Sequence, residues 1–152
     1  MLDPESVGRV EGRLGYRFRD RASLGQALTH ASYANEHPGV RHHEGLALLG
    51  DAALGLVVAE RLLAEDPEAS VGVLTPRRAE VVSGANLARW ATDLDLGPLL
   101  RLGRGEDLTG GRTRESILAT TLEALLGVIY LEDGLDAVRG VVARLGGGPS
   151  RG

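Results

Sequence analysis

Cysteine and lysine are both absent from these 152 residues, and no long apolar run occurs anywhere along the chain. Without cysteine there can be neither a disulfide framework nor a thiolate zinc site, and nothing points to an oxidising compartment, so a cytoplasmic protein is expected. No segment approaches the roughly 18 apolar residues of a membrane span. The N-terminal MLDPESVGRVEGRLG carries charges where a secretory signal needs its apolar stretch, so no membrane association is expected either. Because lysine is missing, all 17 basic residues are arginine. With abundant Gly, Ala, Leu and Val, this reads as a composition bias, although a guanidinium also suits bidentate phosphate contacts better than an ammonium does. The net charge of −4 excludes the generally basic surface of a generic nucleic-acid binder, so any such contact has to be local.

Alternating or β-branched runs bounded by hairpin turns are also scarce, whereas apolar residues recur at helical spacing through almost the whole chain. The fold class is therefore all-α, and the length fits one domain, residues 1–145, followed by a flexible glycine-rich tail at 146–152. The spacing predicts helices over Asp3 to Leu14, from Arg21 into Ala27 to His30, and from His43 to Ala64. Ser70 to Leu74 is expected to lead into a helix that ends before Ser83, and further helices are expected from Ala85 to Leu94, from Glu115 to Glu132 and from Leu135 to Leu145. Residues Asn35 to Arg41 are expected as a loop. Glycines at 103, 105, 110 and 111 make residues 103–112 a predicted flexible loop.

Two acids stand out against apolar surroundings. Glu44, Ala47 and Asp51 share one helical face, and Asp51 is followed by eight uncharged residues, Ala52 to Ala59. An acid in such a run needs a partner, a metal or water, or is simply a solvated position on an amphipathic helix. Glu123 raises the same question, with Leu122, Ala124 and Leu125 beside it. Gly50 and Gly127 lie inside the two helices at a cost of roughly 1 kcal/mol each relative to alanine. Close helix–helix approach is the return expected for that cost, and it would bring Asp51 and Glu123 together.

A family resemblance enters with the segment His43-Glu44-Gly45-Leu46-Ala47-Leu48-Leu49-Gly50-Asp51-Ala52, which is similar to the ribonuclease III signature N-E-R-L-E-F-L-G-D-A. The stretches Ala27 to Glu36, Gly72 to Thr75 with Arg78-Ala79, Leu102 to Glu106, Ser116 to Ala119 and Glu123 to Leu131 extend the likeness in the same order. The resemblance implies a helical endonuclease domain that forms a homodimer around a valley for double-stranded RNA and cuts it with Mg²⁺. Two hard cations about 4 Å apart need several converging carboxylates, and the family brings four. Carried over, the first falls on Ala47, the second on Asp51, the third on Thr120 and the fourth on Glu123. Glu44 matches the leading acid of the signature, while Gly45 replaces its arginine and Leu48 its aromatic.

Alanine offers a cation nothing and threonine only a neutral hydroxyl. The expectation is thus a pseudo-nuclease in which Asp51, Glu123 and Glu44 are remnants and any Mg²⁺ binds weakly, at Asp51 and Glu123. Two alternatives stay open: an active Mg²⁺-dependent, double-strand-specific endoribonuclease in RNA processing, and a protein-interaction module that binds no RNA. Arg101, Arg104, Arg112 and Arg114 surround the glycine-rich segment and are the candidate RNA contacts. Gly103-Arg104-Gly105 lacks the lysine and Ser/Thr of a phosphate-binding loop, so no nucleotide cofactor is expected. His42 and His43 point about 100° apart in a helix and are read as helix-start residues, and His30 as a hydrogen-bonded structural residue. Glu60 and Glu115 are the acids that could replace a lost ligand, Glu115 more simply stabilising a helix start. Family members usually carry a C-terminal double-stranded-RNA-binding domain, which this sequence does not include.

Overall fold

The structure is a computed structural model in which residues 2–147 are described, and among them there is no β-strand. Eight helices follow in order: α1 (Pro4–Leu14), α2 (Arg21–Ala27), α3 (Ala31–Glu36), α4 (Glu44–Glu65), α5 (Val71–Val82), α6 (Gly84–Asp93), α7 (Arg104–Leu108) and α8 (Glu115–Gly146). None of them is long and apolar enough to cross a membrane.

Local chemistry sets many of these boundaries. Asp3 caps α1 by accepting from the Ser6 amide, Pro4 occupies the first helical turn where a missing N–H costs nothing, and Asp20 caps α2 through the Ala22 amide. His30 does the same for α3 with its ring Nδ1, and Ser83 for α6 with its hydroxyl.

The core is organised on α8, where Leu122, Leu125, Leu126, Val128 and Ile129 are all essentially inaccessible to water. A helix apolar on nearly every side has to be surrounded. α4 and α6 pack along it, α6 through Leu87, Trp90 and Ala91, and α1 adds Val7, Val10 and Leu14. At Gly134 (φ 78°, ψ −170°) α8 turns sharply, a backbone geometry that only glycine adopts without strain. The turn is tied to the α1–α2 connection, because the Glu132 carboxylate accepts from the amides of Arg19 and Asp20 while Arg19 grips Asp133 at 2.7 Å.

Three expectations need correction. The helix starting at Arg21 stops at Ala27 rather than reaching His30, because Leu28 and His30 exchange backbone hydrogen bonds with Arg101 at 2.8 and 3.0 Å. The loop expected from Asn35 begins only after Glu36, where α3 ends. Residues 103–112, expected to be flexible, contain α7 and the start of a 3₁₀ turn at Gly111–Thr113. The Gly103 amide donates to the Ser32 hydroxyl and the Arg104 amide to the Glu36 carboxylate. A Cβ at Gly103 would sit 2.7 Å from the Ser32 carbonyl oxygen, so this glycine serves close packing, not freedom. Of the tail expected at 146–152, Gly146 closes α8 and Gly147 caps it by donating to Ala143, while residues 148–152 lie outside the described residues.

The α4–α8 crossing is the tightest contact in the fold. A Cβ on Gly50 would collide with the carbonyl oxygen of Glu123 and lie 2.8 Å from the Gly127 amide, and one on Gly127 would collide with the carbonyl of Leu46. Main chain meets main chain there. Replacing Gly50 by alanine is expected to cost about 2–4 kcal/mol in urea unfolding, since the obstacle is backbone that cannot move aside. Gly8→Ala, where nothing lies within 4 Å of the added methyl, should instead stabilise by about 0.5–1 kcal/mol.

Candidate active site

Asp51 follows Gly50 in α4, and Glu123 lies one turn before Gly127 in α8, so the glycine crossing sets the two carboxyl groups face to face. Asp51 is exposed, whereas Glu123 is half-buried. Burial pushes the Glu123 carboxyl up to about 8, reinforced by a hydrogen bond shared with Asp51 and by the Asp51 charge. At neutral pH the pair therefore holds a proton, and its negative charge is about half of what two free carboxylates would present.

The neighbouring positions supply no further anion. Ala47 is 6% exposed and packs into the core. Thr120 is half-buried and its hydroxyl donates to the Ser116 carbonyl at 2.8 Å, a bond within its own helix. Glu44 stays exposed in the first turn of α4, and among the described residues no three His, Asp or Glu side chains converge as a metal site. Of the two possible substitutes, Glu60 pairs with Arg139 at 3.1 Å, and Glu115 lies exposed in the first turn of α8. A donor set of two acids does not fit a two-cation centre, which needs several oxygen anions at once.

One residue at this end of α4 carries more than the sequence indicated. His43 precedes α4 as expected, yet it is only 2% exposed, its Nδ1 lies 3.3 Å from the Thr121 hydroxyl, and its ring meets the edge of His30 at 5.7 Å. Burial holds His43 down to about 4 and lowers His30 as well, so both rings are neutral at pH 7 and add no positive charge beside the acids. The available signal was spacing: His43 lies four residues before Ala47, on the face that meets α8.

The four candidate arginines do not form one open patch. Arg112 donates to Asp107 at 2.9 Å and to the carbonyls of Gly97 and Leu100 at 3.1 and 2.7 Å, which fastens α7 to the preceding turn. Arg114 is paired with Glu106 and donates to the Thr109 carbonyl. Arg101 is half-buried and donates through Nε to the Thr29 hydroxyl at 2.8 Å. Arg104 alone of the four keeps its guanidinium exposed with no hydrogen-bond partner among the described residues.

A family model described as Ribonuclease-III-like matches residues 20–145. The chain belongs to the ribonuclease III family. It is 44% identical over 147 residues to ribonuclease 3 of Syntrophobacter fumaroxidans, an alignment that covers 95% of this chain and 61% of that protein. To ribonuclease 3 of Streptomyces coelicolor it is 50% identical over 136 residues, covering 90% and 49% respectively. The chain thus spans about half to three-fifths of the length of these curated relatives. Among solved structures, the nuclease domain of ribonuclease III from Campylobacter jejuni superposes with a TM-score of 0.85 at 35% identity, covering 91% of this chain and 94% of that one. The helical fold expected from the sequence is therefore the ribonuclease III nuclease-domain fold.

The Glu123 proton makes stability depend on pH in a definite direction. Its folded-state value, about 8, lies above the ordinary 4.5, so the folded chain keeps a proton that the unfolded chain has released. The associated stability is complete below about pH 4.5 and is lost as pH rises through about 8. In Glu123→Gln that loss disappears. Thermal melts should show the variant more stable than the parent at about pH 9, by on the order of 1–2 kcal/mol once solvent screening near exposed Asp51 is allowed for, with the gap closing at about pH 5.

Proposed function

We propose that this chain is a catalytically impaired ribonuclease III-type domain that dimerises and acts by binding double-stranded RNA. The carrying observation is the state of the four positions that the family resemblance marks as cation ligands: Ala47 is buried and apolar, the Thr120 hydroxyl is bonded within its helix, and Asp51 and Glu123 share a proton. Mg²⁺ can be held by one or two carboxylates when substrate phosphates add oxygens, so weak binding of a single ion at Asp51 and Glu123 is compatible with these residues. A pair of ions is not. If cation activation supplies several kcal/mol of the rate, at about 1.36 kcal/mol per tenfold, its loss lowers cutting by several orders of magnitude.

Dimerisation is supported by the outer face of α4. Leu48, 74% exposed, begins a stripe that continues through Ala52, Leu56, Ala59 and Leu63, all open to solvent. Beside it, α5 has no buried residue and exposes Val71 and Val73. Such a contiguous apolar surface marks an interaction site. In the Campylobacter jejuni nuclease domain a region is described as involved in dimer formation. Leu48 occupies the position at which the family signature carries an aromatic, so it becomes the central side chain of the proposed interface. Internal use of Arg112 and Arg114 favours a second reading, in which a protein and not RNA is the partner. RNA affinity falling steeply with salt supports the first reading, and no RNA binding at low salt supports the second.

Incubation with long double-stranded RNA and excess Mg²⁺ or Mn²⁺ should leave it intact, while Ala47→Glu combined with Thr120→Asp should gain cutting. Rapid cleavage by the parent at ordinary Mg²⁺ would overturn the impairment. Leu48→Asp should convert a dimer to a monomer in sedimentation experiments without changing helical content by circular dichroism.

A further inference from the structure

Away from the Asp51–Glu123 pair, between α1, α2 and the segment around Arg101, lies a cavity of about 400 Å³ with arginine as its charged lining and no acid. Its walls include Leu2 and Val7 on one side and Arg21, Gly25 and Arg101 on the other.

The Arg101 side chain is held before any ligand arrives. Its backbone is bonded to Leu28 and His30, its Nε donates to Thr29, and its guanidinium lies 5.5 Å from the Tyr33 ring centre. Its terminal nitrogens have no acceptor among the described residues, and no carboxylate lies within ion-pair range. Gly25 makes the room: a Cβ there would stand 2.9 Å from a terminal nitrogen of Arg101. Arg21 is largely exposed, and its nearest carboxylate, on Glu11, is 4.0 Å away and already accepts from the Phe18 amide at 2.8 Å.

A half-buried guanidinium without an anion, such as that of Arg101, is costly, and a second arginine opening onto the same cavity favours a ligand with more than one negative charge. Phosphate meets both requirements: it carries up to two charges, and its oxygens match the guanidinium fork, whereas a carboxylate has one charge to divide between two arginines. The apolar wall of Leu2 and Val7 leaves space for the body of a phosphate ester beside its charged end. We propose that this cavity is a phosphate-binding site, with Arg101 as the fixed fork and Arg21 as the mobile second cation.

The test is titration of the 152-residue chain with inorganic phosphate, adenosine 5′-monophosphate and adenosine, followed by NMR of the arginine Nε–H groups and the Gly25 amide. Saturable millimolar shifts of Arg101, Arg21 and Gly25 with the two phosphates, and none with adenosine, are expected. Equal affinity for both phosphates identifies the free ion as the source, tighter binding of the nucleotide identifies an ester, and either result supports the site. Arg101→Gln and Gly25→Ala should each weaken binding by about tenfold or more, Arg21→Gln by severalfold, and Arg104→Gln not at all. Arg21→Gln, at an exposed side chain without a close structural bond, keeps the proposal testable if Arg101→Gln does not fold. Absence of saturation in the parent, or unchanged affinity in Arg21→Gln and in a folded Arg101→Gln, overturns it.

Discussion

Where α4 crosses α8, the backbone of Gly50 rests on the carbonyl of Glu123 and the backbone of Gly127 on the carbonyl of Leu46, with no side chain between them. Two glycines inside helices are unfavourable locally, each by roughly 1 kcal/mol relative to alanine. They persist because no other residue lets two main chains come so close while Leu122, Leu125, Leu126, Val128 and Ile129 of α8 stay buried. The rest of the site depends on that separation. Asp51 and Glu123 are adjacent in sequence to the crossing, so the backbone contact itself decides that their carboxyl groups meet.

Meeting at that distance has an electrostatic consequence. A carboxyl that is half-buried and faces a second acid cannot remain ionised cheaply, and it is neutralised by a cation or by a proton. The surroundings here favour the proton. Ala47 contributes no oxygen, the Thr120 hydroxyl is directed to its own helix, and His43 and His30 are kept neutral by burial. The scaffold of a ribonuclease III nuclease domain therefore surrounds a facing pair of acids, Asp51 and Glu123, on which no third acid converges among the described residues.

Sequence reasoning was accurate where the determining forces are local or periodic, and it failed where a residue's partner is distant in the chain. The break in α8 between Glu132 and Leu135, at Gly134, was readable from residue type and position. The glycine-rich stretch 103–112 was misread because glycine at close packing and glycine in a mobile loop look identical in a sequence. The difference is made by Ser32 and Glu36, some 70 positions earlier. The surroundings of Arg112 and Arg114 were hidden for the same reason: their charge is visible in the sequence, but the carbonyls of Gly97, Leu100 and Thr109 that they bind are not.

By itself the sequence determined the helical class, the placement of the long apolar helix at the centre and the family resemblance, because each follows from residue identity or from a period along one chain. Only the tertiary structure decided that Asp51 and Glu123 face each other with the Glu123 carboxyl pushed up by burial, that Glu60 pairs with Arg139, and that Arg101 opens onto a cavity with Arg21. These are questions of distance between separate helices and of how much water reaches each group. Distance and solvent access exist only once the helices have packed.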